Sequence, residues 1–168
     1  MSAAALGSSW LGSSGLSWAV LGRFTAYVRG AGGQIVASGG AIVDDGGMAS
    51  WPLLDASAFA EGSGVLRFGG GVRFLAHFGA LDLPLQDPVI EIDGDAGVLG
   101  IPEPSNPAAR VVLARFAWRG VPAQPGVRAW VGEQVELDAG ATHLFSGAYG
   151  PGTAFDPLVV VLADVPNG

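Results

Sequence analysis

Apolar residues recur along this chain at two different spacings. Over residues 17–29 the spacing is helical. Trp18, Leu21, Thr25 and Val28 fall at i, i+3, i+7 and i+10, and Val20, Phe24 and Tyr27 form a neighbouring stripe. Ser17 is a candidate N-cap, and Gly30 with Gly32-Gly33 supplies a stop, so the pattern predicts a helix over 17–29. Gly22 weakens that helix by about 1 kcal/mol relative to Ala. Beyond it the pattern turns to short strands and turns. Strand-like runs occupy 34–43 (around a Gly39-Gly40 break), 65–68, 72–78, 80–85, 89–92, 98–101, 110–118, 127–137, 142–145 and 158–162. Within 72–78, Val72, Phe74, Ala76 and Phe78 are expected on one face, and Arg73, Leu75 and His77 on the other. Residues 44–47 and 93–95 read as turns, and 102–107 and 121–126 as loops. Short antiparallel strands with turn signals between them predict a mainly β chain, a sandwich or a barrel. Residues 1–15, with Gly-Ser-Ser repeated, read as a flexible leader, and 16–165 as one domain.

Composition narrows the function. Hydrophobic residues make up 49% and charged ones 14%, which favours a packed core over disorder. The 28 Gly and 11 Pro fit many turns and short elements. The formal charge is −7, all eight basic residues are Arg, and no basic run exists. Nucleic acid and anionic membrane surfaces are therefore poor partners. The absence of Cys removes disulfides, thiolate metal sites and thiol nucleophiles. Only His77 and His143 supply imidazoles. The N-terminus lacks a basic segment followed by an apolar run, so no secretory signal is visible and a cytoplasmic location is expected for the chain as written. The aliphatic run 158–163 is far short of the ~20 residues that a membrane span needs.

Several chemical signatures fail on order or spacing. Gly30-Ala31-Gly32-Gly33 follows a helix and precedes a strand, whereas a phosphate loop needs a helix N-terminus after it. Glu91, Asp93 and Asp95 lack calcium-loop spacing and read as a solvated turn. There is no Gly-x-Ser-x-Gly elbow, and nothing in the spacing selects a triad.

Four segments carry a resemblance. The first is Leu16-Ser17-Trp18-Ala19-Val20-Leu21-Gly22-Arg23-Phe24-Thr25-Ala26-Tyr27-Val28, over the opening helix. The second and most specific is Phe68-Gly69-Gly70-Gly71-Val72-Arg73-Phe74-Leu75-Ala76-His77-Phe78-Gly79-Ala80-Leu81-Asp82-Leu83, with Gly-x-Val-x-Phe at 70–74. The third is Leu85-Gln86-Asp87-Pro88. The fourth runs over 139–157 and includes Phe145-Ser146-Gly147-Ala148-Tyr149 and Gly152-Thr153-Ala154-Phe155-Asp156-Pro157. Together they resemble the HtaA family, haem-binding domains of actinobacterial haem-uptake proteins. The resemblance implies an antiparallel β-sandwich with one or two short helices and a ferric haem b bound at its edge. It implies Tyr27 as the iron ligand and His77 as its hydrogen-bond partner. It also implies a late aromatic residue, Phe145 or Tyr149, against the porphyrin. Relatives of this kind are exported or on the cell surface. Haem donor or acceptor proteins are implied as partners, and the chain is expected to be a monomer or homodimer.

The chemistry suits those residues. Fe(III) is a hard cation and phenolate a hard oxygen donor, and Tyr ligation of haem is established. A free phenol has a pKa near ~10, so coordination must displace its proton. A neighbouring imidazole can take or share that proton and orient the ring. Arg23, four residues before Tyr27, can pair a propionate carboxylate. It departs from the small hydroxyl residue expected there in some relatives. An Arg near a Tyr ligand also leaves room for a catalase- or peroxidase-like enzyme, or another small-molecule enzyme on the same scaffold. A haem-free structural domain is the third reading. Taken singly, Tyr27 reads as a residue at the core boundary, His77 as a structural strand histidine, Arg23 as a solvated helix residue and Tyr149 as a loop aromatic. His143 matches no motif position and is expected to be structural.

Overall fold

Residues 14–79 and 81–163 are described by a computed structural model made almost wholly of antiparallel strands. In chain order the elements are β1 (Gly15–Trp18), α1 (Gly22–Gly30), β2 (Gln34–Ser38), β3 (Ile42–Val43), β4 (Ala49–Asp55), β5 (Phe59–Ala60), β6 (Ser63–Phe68) and β7 (Gly71–Ala76). A 3-10 turn (His77–Gly79) leads into β8 (Leu81–Gln86), β9 (Val89–Asp93), β10 (Ala96–Glu103), β11 (Asn106–Val121) and β12 (Val127–Leu137). A 3-10 helix (Ala139–Phe145) and β13 (Leu158–Ala163) follow. Most of the leader expected at 1–15 lies outside the described residues; Gly15 already belongs to β1.

The architecture is a closed barrel, not the sandwich that the resemblance implied. Eight strands run β4-β1-β13-β12-β11-β10-β9-β6, and β6 pairs back onto β4 through Leu53↔Phe68 and Asp55↔Arg67. β3 and β5 extend the ring, and β2-β7-β8 form a separate three-stranded sheet. Closure depends on β1 and β4, two strands that the apolar pattern hides. β1 takes the last residue of the expected leader and the first two of the predicted helix 17–29, Ser17 and Trp18. It is strand because Gly15–Trp18 is laddered on both sides, to Leu158–Val161 of β13 and to Ala49–Pro52 of β4. Two ladders of backbone bonds outweigh a weak helical preference. β4 contains Pro52 and shows no clean alternation. An eight-stranded ring leaves an interior that side chains can fill. Here Leu16, Trp18, Trp51, Leu66, Phe68, Ile90, Leu99 and Leu113 are all fully buried in one cluster.

Other expectations shift for equally local reasons. The helix starts at Gly22 rather than near Ser17, after Val20 takes a left-handed φ of 61°. Leu21 stands at the N-cap position with no side chain to cap with; instead the Gly22 N–H donates to Asp156 Oδ2 at 3.0 Å. The Trp18 indole N–H donates to the Asp156 carbonyl at 2.8 Å, so a residue of the fourth motif fixes where the helix begins. Removing a capping acceptor costs about 0.5–2 kcal/mol. Asp156→Ala is therefore expected to lower the unfolding free energy by about that much, read in urea as a lower midpoint with no change in slope. The run 142–145 is 3-10 helix, not strand: Asp138 caps it by accepting from the Gly140 N–H, and Ala141, Leu144 and Phe145 are buried at helical spacing. β7 stops at Ala76, so Phe78 does not share a face with Phe74; it is fully exposed. The loops expected at 102–107 and 121–126 are tighter, because β10 runs to Glu103, β11 starts at Asn106 and ends at Val121. Residues 93–95 form the turn between β9 and β10 as expected.

Candidate functional site

α1 is amphipathic on a narrow stripe. Phe24, Thr25 and Val28 are buried, while Tyr27 on the adjoining edge is 51% exposed. Phe24 is wedged against Phe74 of β7 at 5.2 Å between ring centroids and against Phe145 at 5.3 Å. This packing anchors the helix and leaves the Tyr27 phenol at the surface.

The chain returns to Tyr27 through the 3-10 turn. His77 and Phe78 both have left-handed backbones, with φ of 53° and 56°. Such conformations in non-glycine residues cost on the order of 1–3 kcal/mol each and persist where the surroundings enforce them. The turn ends β7 abruptly and directs the imidazole toward α1. Tyr27 Oη and His77 Nε2 lie 2.6 Å apart. A neutral phenol donates its proton to Nε2; a phenolate would accept from Nε2–H. The pair can thus pass one proton between its two atoms. A close approach permits it: a Cβ on Gly33, just after α1, would lie 2.2 Å from the Leu75 carbonyl oxygen, so only glycine lets the helix exit run so near the end of β7.

Beside this pair opens a cavity of about 500 Å³, lined by Phe24, Tyr27, His77, Leu81, Phe145, Ser146, Ala148 and Tyr149. That volume is ordinary for a small-molecule pocket, which spans ~300–1,000 Å³. Its walls are mostly aromatic or aliphatic, with the hydroxyl and imidazole as a polar spot at one edge. Phe145 is 1% exposed and contacts Phe24, Tyr149 and Phe155 edge-on or tilted. Tyr149 is half-buried, and the Arg23 guanidinium lies 5.4 Å from its ring centroid. Four of the five expected site residues therefore line one cavity, and Arg23 stands at its rim through Tyr149. Phe24 and Leu81 complete its aromatic and aliphatic lining. Phe24 was visible only as a helix-stripe residue and Leu81 only as part of the second motif. Ser146 and Ala148 carry no spacing signal of their own.

The surrounding charges brace the walls. Arg73 and Asp82 pair across the β7–β8 hairpin, and the guanidinium holds the Asp82 carboxyl below its usual range. Asp138, bonded by the Gly140 N–H and by Arg115 Nε at 2.7 Å, is likewise held low. His143 is exposed and donates from Nε2 to both Glu103 oxygens at 3.1 and 3.0 Å, tying the 3-10 helix to β10. It does not line the cavity. Burial would raise the Glu103 carboxyl, but bonds from His143 and Ser105 outweigh that and hold it low. Among the described residues, no three His, Asp or Glu side chains converge as a metal cluster, and no helix is long and apolar enough to cross a membrane.

The HtaA (Htaa) family profile matches residues 13–161. The chain belongs to the HtaA family. Its HtaA domain shares a fold with the crystal structure of the C-terminal domain of HtaA from Corynebacterium glutamicum, at 22% identity and a TM-score of 0.72, covering 90% of this chain and 96% of that one. It is also similar to the haem-binding protein HtaB from the same organism, at 20% identity and a TM-score of 0.65, covering 91% and 97%. A domain-swapped dimer of a variant of the C-terminal HtaA domain matches at 20% identity and a TM-score of 0.64, covering 85% and 91%. None of the curated proteins matches the sequence. Tyr27, His77 and the aromatic wall of this HtaA domain all fall within the matched residues.

Proposed function

We propose that this HtaA domain captures ferric haem b through Tyr27 and holds it for uptake, transfer or storage. The observation that carries the reading is the 2.6 Å contact between Tyr27 Oη and His77 Nε2 at the mouth of an aromatic cavity. The residues present fit the cargo. A porphyrin is flat and apolar, as is most of the cavity lining. Its ferric iron seeks a hard anionic donor, and the half-exposed phenol is one that can lose its proton to an imidazole already in contact. Haem binding by the relative HtaB and family membership support the same reading.

Within it, Tyr27 supplies the iron ligand and His77 receives or shares the phenol proton and fixes the ring. Phe145 is rigidly packed and forms the cavity floor, while Tyr149 and Arg23 together edge the opening. Arg23 is positioned to pair a propionate carboxylate. A half-exposed ligand at the protein edge suits passage of haem between donor and acceptor proteins, by a monomer or homodimer. Hemin titration of the chain tests this: a 1:1 complex with a Soret shift and a phenolate-to-iron charge-transfer band is expected. No Soret shift would overturn the proposal. Peroxide turnover by the complex is expected to equal that of free hemin; a rate well above it would favour the enzymatic reading instead.

A further inference from the structure

The turn between β7 and β8 carries a side chain for which the fold has no use. Phe78 is fully exposed, and its backbone is left-handed at φ 56°, ψ 35°. A bulky aromatic residue rarely adopts that conformation, and a phenyl ring left in water contributes no packing. Its position is specific. His77 before it and Leu81 after it both line the aromatic cavity. His77 and Phe78 also border a second cavity of about 400 Å³, with Ala31, Gly32, Gly33, Leu75 and Ala76. His77 thus lines both cavities, and Phe78, which lines the second, follows directly after the imidazole that bonds Tyr27.

We propose that Phe78 is the retention residue of this site. Its exposed ring, next in the chain to His77, packs on the part of the porphyrin that extends past the Tyr27–His77 pair and sets the rate at which haem leaves. The inference rests on the haem-binding reading above. One short turn then performs two tasks: His77 serves the ligand and Phe78 covers the macrocycle. Offset contact between aromatic faces and removal of a phenyl ring from water both favour the bound state.

Transfer of hemin from the loaded 168-residue chain to excess apomyoglobin measures retention. Phe78→Ala is expected to speed release by about 5- to 20-fold, and Phe78→Leu by less. The absorption spectrum should stay as in the wild type, because the oxygen donor to iron is unchanged. The thermal midpoint should also stay, because the ring is fully exposed in the fold. A second measurement reads proximity. With gallium(III) protoporphyrin IX, which is diamagnetic, the Phe78 ring protons should shift by the porphyrin ring current. If the wild type forms its complex but Phe78→Ala releases hemin at the wild-type rate, with no ring-current shift, the retention role is overturned while haem binding stands. If the wild type forms no complex, both fall together.

Discussion

Replacing Tyr27 by Phe is expected to remove the phenolate-to-iron band and weaken hemin binding by more than ~100-fold, the upper end for losing a mere outer partner of a metal ligand. The loss should be separable from folding. Tyr27 is 51% exposed, and its hydroxyl makes one side-chain hydrogen bond, to His77. The phenyl ring of the variant keeps the same place on α1. Stability should therefore change by no more than about 0.5–1.5 kcal/mol, the net worth of one ordinary hydrogen bond. Hemin that remains bound to Tyr27→Phe should change its spectral type, because His77 Nε2 becomes the nearest donor. Hemin titration beside urea unfolding of the same samples checks both halves. A Tyr27→Phe protein with an unchanged spectrum would show that the iron is held elsewhere.

The second large effect is expected at His77. Removing the partner that orients a metal ligand typically weakens binding by ~10- to 100-fold. His77→Ala should fall in that range while retaining the phenolate band, since Tyr27 is still present. The left-handed backbone at φ 53° supplies an internal control. Glycine adopts that conformation without strain, whereas alanine does not. His77→Gly should therefore match His77→Ala in hemin affinity but exceed it in thermal midpoint. Equal affinity of wild type and both variants would remove His77 from the site.

The parts of this site that could be read in advance are those fixed by residue identity at short range. The Gly-x-Val-x-Phe run, the turn around His77 and the stripe bearing Phe24 and Tyr27 each occupy a few consecutive residues. Their family likeness therefore survives in one sequence. Phe24 was legible as a buried helix residue but not as a cavity wall, because that role needs Phe74 and Phe145, which arrive from distant segments. The exposure of Phe78 was not legible at all. Alternation along 72–78 puts it on one face with Val72, Phe74 and Ala76, which are buried, and only the left-handed pair at His77 and Phe78 turns it out. The 3-10 helix over Ala139–Phe145 was legible in part: Asp138 is a good cap, yet Thr142 and Phe145 look like strand residues until Ala141 and Leu144 are seen facing the same core.

Composition and periodicity alone determined that the chain is mainly β, acidic, free of thiol chemistry and supplied with only two imidazoles. Those properties depend on which residues are present and on spacings shorter than a single strand. Tertiary structure decided that the sheet closes into a barrel, that Ser17 and Trp18 join a strand where the spacing favours helix, and that Asp156 starts α1 from more than a hundred residues away. It also decided that the phenol and imidazole, fifty residues apart, meet at hydrogen-bond distance. Backbone ladders and side-chain caps between remote segments are satisfied only in the folded chain, so no local pattern encodes which partners will meet.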